Sequence, residues 1–193
     1  MKILDFVNIK PKIKQMKIEL KNIKHSEWGS EETNCFQANI YLNGKLVGYC
    51  DNNGKGESTS YNRVPNVDYK VIQEMEDYCK GLPPIEYDSH LRQGEKFSIN
   101  MNLEHYLDIL LEKHLESKQK AKFNKKIAKE MLKGIVIGND NEYRTISFNL
   151  PLQEMCNNYP DHFKLTLKNK LEKYKEQGYR LLNTNIPQQF LNN

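Results

Sequence analysis

The stretch NCFQANIYLNGKLVGYCD, residues 34–51, decides the fold of the N-terminal part of the chain because it encodes a β-hairpin with a defined turn. Asn43 and Gly44 lie between two runs of β-forming residues, and both tolerate the positive φ of a two-residue type I′ turn. Such a turn sets the strand register, so Ile40 is predicted to face Val47 and Ala38 to face Tyr49. The predicted core face carries Phe36, Ala38, Ile40, Leu42, Val47 and Tyr49.

The rest of the chain mixes strands and helices without the regular alternation of a doubly wound sheet. Hydrophobic periodicity predicts a strand over 16–24, helices over 67–80, 103–117 and 160–177, and a loop over 82–100. The middle helix is predicted to continue over 118–133 after a bend near Ser117. Asn102 is a suitable N-cap for the middle helix. The order predicts an α+β fold, in which an N-terminal antiparallel sheet containing hairpin 34–51 is packed by helices. A second hairpin near 134–149 and a C-terminal helix follow.

The length of 193 residues favours one domain. We expect a single α+β domain over residues 16–182. Residues 1–15 are expected to form an N-terminal extension, and residues 183–193 a loosely held C-terminal tail.

Composition excludes several classes of protein. Hydrophobic residues make up 38% and charged residues 28% of the chain, which suits a folded core with a solvated surface. No apolar run is long enough to cross a membrane, and the N-terminus lacks the apolar core of a secretory signal. The four cysteines form no CxxC motif, which is typical of reduced thiols. We therefore expect a cytoplasmic protein without membrane association, metal or cofactor.

A basic stripe on the middle helix is the first candidate binding surface. Its lysines follow one another at steps of four, three, four and four residues, and on a helix they lie within about 80° of one another. Phe123, Ile127 and Met131 fall on the opposite side. Such a ridge suits contact with phosphates, although a solvated helix face has the same pattern. The ridge consists of Lys118, Lys122, Lys125, Lys129 and Lys133.

An acidic stripe precedes the basic one on the same predicted helix. Glu104, Asp108, Glu112 and Glu116 repeat every four residues. A metal site would need ligands from a second element, and no DxD or HExxH motif supplies them. The stripe therefore indicates a solvated face. Alternatively, the acidic and basic stripes together could attract a second copy in antiparallel orientation, which would make the chain a homo-oligomer, or another partner with patterned charge.

The glycine-rich run that follows the hairpin is the second candidate site. Its backbone amides could hold an anion, with lysine and hydroxyl side chains assisting. It matches neither the phosphate-binding GxxxxGK(S/T) loop nor a strand-to-helix GxGxxG, and the same residue types build ordinary wide turns. The candidate ligand-binding residues are Asn53, Gly54, Lys55, Gly56, Ser58 and Tyr61.

Residues 16–62 resemble the start of a family of small uncharacterised proteins encoded by tailed phages and related mobile elements. The family pattern is SxETxCFxA, then a GK turn, an NxGxG loop and a tyrosine. This chain departs from it at Lys55, where a histidine is usual, and at Glu57, which replaces a second glycine. The resemblance implies an accessory protein acting in the cytoplasm of a bacterial host. Because the family-like start falls at Met16, it also implies that residues 1–15 are an extension or result from an upstream start site. The matching residues are Ser30, Glu32, Thr33, Cys35, Phe36, Ala38, Gly44, Lys45, Asn53, Gly54, Gly56 and Tyr61.

Taken together, these features predict a non-enzymatic binding module with no catalytic residues. It would engage a host protein or nucleic acid through the basic helix and the glycine-rich loop, in host takeover or counter-defence. The alternative is a protein that binds a small anion or nucleotide, or an enzyme, that uses loop 51–62 with His25, Glu32 or Tyr61 nearby.

Overall fold

The structure is a computed structural model that describes residues 16–88 and 96–191. Its internal contacts divide the chain into two compact units, Met1–His114 and Leu115–Asn193, each of which is described by itself. The predicted extension, residues 1–15, lies outside the described residues. Both units combine antiparallel strands with helices, so the predicted α+β class is confirmed. The predicted domain boundaries stay a prediction.

The first unit is built on a four-stranded antiparallel sheet with strands in sequence order. The strands are β1 (Ile18–Ser26), β2 (Cys35–Leu42), β3 (Lys45–Asn52) and β4 (Ser60–Arg63). Asn43 and Gly44 have φ values of 50° and 82°, as the predicted tight turn requires. The side chain of Asn43 also accepts a hydrogen bond from the Lys17 amide at 3.1 Å, which ties the turn to the start of β1.

The predicted register of the hairpin is wrong beyond the turn, because a β-bulge interrupts the pairing of β2 with β3. Leu42 pairs with Lys45 as expected, but Ile40 then pairs with Gly48 and Ala38 with Cys50. A bulge adds one residue to one strand and so reverses the faces of all residues beyond it. As a result Cys50 is buried, at 1% exposure, while Tyr49 is 47% exposed on the opposite face.

Two helices and a short hairpin complete the first unit. Helix α1 (Tyr69–Lys80) begins where Asp68 accepts a hydrogen bond from the Lys70 amide. Strands β5 (Ile85–Asp88) and β6 (Lys96–Ile99) pair, so the prediction of a loop over 82–100 is wrong for these eight residues. Helix α2 (Leu103–Met131) begins at the predicted cap, since Asn102 Oδ1 accepts a hydrogen bond from the His105 amide at 2.7 Å. Buried residues from the helices are Ile72, Met75, Cys79, Leu103, Leu107 and Leu111.

The second unit has a three-stranded antiparallel sheet in the order β8–β7–β9. Its elements are β7 (Gly134–Gly138), β8 (Tyr143–Ser147), α3 (Leu152–Asn158), α4 (Pro160–Lys175), β9 (Arg180–Leu181) and a 3-10 turn at Gln188–Phe190. The second hairpin and the C-terminal helix are therefore confirmed, whereas α3 was not predicted. The buried core of this unit comprises Ile135, Ile137, Leu152, Met155, Cys156, Phe163, Leu167, Ile186 and Phe190.

The segment after β9 is packed into this core, contrary to the expectation of a loosely held tail. Phe190 contacts Phe163 edge to face, with ring centroids 5.0 Å apart. The buried Asn183 accepts a hydrogen bond from the Val136 amide at 2.6 Å and donates one to the Gly134 carbonyl at 3.1 Å. Its side chain thus continues the pairing of β9 with β7 beyond Leu181.

Because Phe190 fills the core of the second unit, Phe190→Ala is expected to lower the free energy of unfolding by about 3 kcal/mol. Leu191→Ala is the matched control, since Leu191 is 41% exposed and its truncation should change little. Urea unfolding followed by circular dichroism compares the two. Equal small effects from both variants would show that the segment is not held in the core.

Candidate functional site

The basic stripe lies on the C-terminal half of α2, in the second unit. Lys118, Lys122, Lys125 and Lys129 are all exposed, and we call these four residues the lysine face. Lys133 does not belong to it, because α2 ends at Met131 and the Lys133 ammonium pairs with Glu130 at 2.8 Å. Without Lys133, the predicted arc narrows to about 60°.

The opposite side of the helix is packed, as the sequence predicted. Ile127 is buried, and Phe123 lies edge to face against Tyr143 of β8, with ring centroids 5.6 Å apart. The apolar contacts fix the rotation of the helix on its own unit, so the lysines point to solvent. Within the described residues, no lysine of the lysine face forms an ion pair with a carboxylate.

Charge is divided between the two units. Residues 115–193 contain 14 Lys and Arg against 8 Asp and Glu, a net charge of +6. The first unit, residues 1–114, contains 15 against 17, a net charge of −2, and its residues 16–114 alone carry −5. The division falls within α2, where the acidic stripe gives way to the lysine face. A polyanion would therefore be attracted by the second unit and repelled by the first.

The glycine-rich loop, residues 51–59 of the first unit, has three backbone amides that are hydrogen-bonded to side chains of the protein. The Gly54 amide donates to Asn52 Oδ1 at 2.8 Å, and the Lys55 amide donates to Asn53 Oδ1 at 2.9 Å. The Gly56 amide donates to Thr33 Oγ1 at 3.3 Å. Three amides of the predicted anion-binding loop thus already have acceptors, so the geometry does not favour an anion site.

The same loop holds the connection between β1 and β2 in place. The Gly54 carbonyl accepts hydrogen bonds from the amides of Glu31, Glu32 and Thr33 at 3.0, 2.9 and 3.3 Å. Gly54 has a φ of 85°, and a Cβ atom there would collide with the Gly29 carbonyl oxygen. Glycine is therefore required at residue 54 for close packing of the two loops, rather than for access of a ligand.

Asn52 is the residue that sequence reasoning missed. Its side chain is buried, and Oδ1 accepts hydrogen bonds from Thr33 Oγ1 at 2.9 Å and from the Gly54 amide. Its Nδ2 donates to the Glu57 carbonyl at 2.8 Å and to Thr59 Oγ1 at 3.4 Å. The DNNG sequence is typical of an Asx turn, but only the bulge in the hairpin turns Asn52 towards the interior.

An open cavity of about 400 Å³ lies beside the loop, lined by residues of the loop, the β1–β2 connection and α2. Its carboxylates come from Glu32, Glu57, Glu104, Asp108 and Glu112. Ser58 also lines it, but Tyr61 does not, since the Tyr61 hydroxyl donates to Glu76 Oε1 on α1 at 2.9 Å. Burial and this carboxylate raise the pKa of Tyr61 to about 12. Five carboxylates disfavour a small anion in this cavity.

The residues of the predicted alternative site are not brought together. Glu32 lines the acidic cavity, whereas His25 lies outside its lining, with Nε2 at 3.2 Å from Asn34 Oδ1 and 3.4 Å from Ser30 Oγ. The carboxylates do not converge on a metal either, because no group of three His, Cys, Asp or Glu side chains among the described residues has a suitable arrangement. No helix in the described part of the chain is long and apolar enough to span a membrane.

The comparisons with known proteins give no relative. No family model, no curated protein and no solved structure matches the chain. The resemblance of residues 16–62 to phage proteins therefore stays a prediction. Hydrogen bonds join three residues of that pattern, Thr33, Gly54 and Gly56. These positions therefore have a structural role in this chain.

Asn52→Ala is expected to lower the free energy of unfolding by about 2–4 kcal/mol, because it leaves the buried Gly54 amide and the Thr33 hydroxyl without an acceptor. The matched control is Asn53→Ala, since Asn53 is exposed and its hydrogen bonds are formed at the surface. Thermal unfolding of both variants gives the comparison. Equal stability of the two would mean that the loop does not depend on Asn52.

Asp108 provides a pH-dependent test of the acidic cavity. Burial raises its pKa above the ordinary value of 3.8 and nearby Glu104 raises it further, while the hydrogen bond from Thr59 Oγ1, at 2.6 Å, opposes both. Since the folded pKa exceeds the unfolded one, the folded state binds more protons. The free energy of unfolding therefore falls as the pH rises from about 3.8 through the folded pKa.

Asp108→Asn keeps an acceptor for Thr59 and removes the charge. We expect it to raise Tm at neutral pH and to give no gain below the ordinary Asp pKa. Thermal melts over a pH series measure this, with the exposed Glu112→Gln as the control for a cavity carboxylate. A gain in Tm of the same size at every pH would contradict a raised pKa for Asp108.

Proposed function

We propose that this chain is a non-enzymatic binding module that engages nucleic acid through the lysine face of α2. The observation that carries the proposal is a set of four exposed lysines on one side of a helix whose other side is packed. None of the four pairs with a carboxylate in the part of the chain that the structure describes. Packing of Phe123 and Ile127 fixes the direction of the lysines before any ligand binds. Charges held in this way lose less side-chain and orientational freedom on binding than charges on a mobile tail.

The geometry suits contact with a phosphate backbone. From Lys118 to Lys129 the helix rises about 16 Å, so the four ammonium groups are spread along an extended polyanion rather than gathered around one small anion. Lysine binds phosphate as a point charge, and bidentate reading of guanine is usually done by arginine. The lysine face contains no arginine, and binding through it is therefore expected to be largely independent of nucleotide sequence.

The setting of this activity is proposed from the resemblance of residues 16–62. That resemblance supports an accessory protein of a phage or mobile element in a bacterial cytoplasm, where a nucleic acid of the host, or one bound by its defence proteins, is the target. The alternative of a small-anion or nucleotide site in loop 51–62 receives less support, because the loop amides are already bonded and the adjacent cavity is acidic.

Reversing three charges of the lysine face tests the proposal. Lys122→Glu, Lys125→Glu and Lys129→Glu in one variant are expected to weaken binding to a short fluorescent DNA duplex by about 100-fold or more at low salt. Fluorescence anisotropy gives Kd.

The matched control reverses three exposed lysines on α4 of the same unit, Lys164→Glu, Lys168→Glu and Lys175→Glu. It changes the net charge by the same amount and should weaken binding far less. Equal losses in the two variants would show that net charge, rather than the lysine face, determines binding. Absence of binding by the unaltered chain would overturn the proposal.

A further inference from the structure

Trp28 is the only tryptophan of the chain, and its side chain is 96% exposed. It lies on the connection between β1 and β2, residues 26–34, which we call the Trp28 turn. Tryptophan is on average among the more buried residue types, since its large ring gains much from removal from water. An almost fully exposed tryptophan has no role in the packing of the first unit, and it is the residue type most enriched in the central contacts of protein interfaces.

The Trp28 turn is held by hydrogen bonds at both ends. The Gly29 amide donates to Ser26 Oγ at 3.1 Å, and Ser30 Oγ donates to the Ser26 carbonyl at 2.8 Å. Further along, Ser30 Oγ accepts from the Cys35 amide at 2.9 Å. The three amides of residues 31–33 are bonded to the Gly54 carbonyl. Binding at this turn would therefore require little ordering of the backbone, which favours affinity.

The charge of the Trp28 turn indicates what kind of partner fits. Residues 26–34 contain Glu27, Glu31 and Glu32, all exposed, and no Lys or Arg. Within the described residues none of these carboxylates forms an ion pair with a cation. Residues 16–114 of the surrounding unit carry a net charge of −5. Carboxylates repel the phosphates of nucleic acids and anionic lipids, whereas an indole face attracts cations, arginine above all.

We propose that the Trp28 turn is a docking site for an arginine-rich segment of a partner protein. The Trp28 ring takes a guanidinium group on its face, and the carboxylates of Glu27, Glu31 and Glu32 pair with neighbouring cations of the segment. This interaction goes beyond the nucleic-acid binding proposed above and is independent of it, because its residues lie in the other unit, which has the opposite charge.

Because Trp28 is the only tryptophan of the chain, its fluorescence reports binding at this site. A short alternating Arg-Gly peptide, titrated into the full chain, is expected to change the emission of Trp28 in a saturable manner. A Lys-Gly peptide of the same length and charge is expected to bind more weakly, since an ammonium lacks the planar stacking of guanidinium. An unchanged emission at saturating Arg-Gly peptide, or equal affinity for both peptides, would overturn the proposal.

Charge variants test whether peptide binding depends on the carboxylates of the Trp28 turn or only on the net negative charge of the unit. Glu27→Gln, Glu31→Gln and Glu32→Gln together should weaken Arg-Gly binding by about tenfold or more. The control Glu74→Gln, Asp77→Asn and Glu86→Gln removes the same charge from exposed sites of the same unit and should leave affinity within about twofold. Trp28→Phe, followed with labelled peptide, should also weaken binding, while circular dichroism checks the fold. Equal losses in the two charge variants would overturn the proposal.

Three other occupants of the turn are tested by the same signal. A change in Trp28 emission on addition of single-stranded DNA would assign the turn to nucleic acid. A blue shift with lipid vesicles would assign it to a membrane surface. A change with protein concentration alone, abolished by Lys122→Glu, Lys125→Glu and Lys129→Glu, would assign it to the lysine face of a second copy. Each of these results, in place of the response to Arg-Gly peptide, would overturn the proposal.

Discussion

The β-bulge between β2 and β3 is the constraint on which the first unit depends. Without it, continuous pairing from the Asn43-Gly44 turn would place Tyr49 inside and Asn52 at the surface. With it, Cys50 and Asn52 turn inward. Asn52 then bonds the Gly54 amide and Thr33, and the Gly54 carbonyl bonds the amides of residues 31–33. The position of the Trp28 turn thus follows from one extra residue in β3.

Local chemistry explains what could be predicted from the sequence. The Asn43-Gly44 turn, the Asn102 cap and the helical spacing of the lysine face each depend on residues close together in the chain, and all three are present in the structure. The bulge could not be predicted, because alternation of apolar residues assumes unbroken register. The packing of Phe190 was missed for a related reason, since its partner Phe163 lies in a different element and no local pattern connects the two.

The candidate sites show the same limit of local sequence patterns. Four of the five predicted lysines share the helix face. The fifth, Lys133, lies beyond the end of α2, and sequence propensity defines the end of a helix only to within a few residues. For the glycine-rich loop the residue types were compatible with both a ligand site and a tight structural turn. The hydrogen bonds of Asn52, Asn53 and Thr33 to the loop amides favour the structural turn.

Opposite charge on the two units is the feature that organises the function we propose. A polyanion meets the lysine face, and a basic protein segment meets the Trp28 turn, so each surface would repel the other's ligand. In the two proposals, nucleic acid and a basic protein segment are therefore ligands of different units of the chain.

The salt dependence of DNA binding tests the central claim most directly. If the four lysines of the lysine face each neutralise a phosphate of a duplex, the logarithm of the binding constant should fall with the logarithm of the KCl concentration with a slope of about −3.6. Measurable binding whose affinity does not change with salt would contradict the claim, because it would show that DNA is held by contacts other than these lysines.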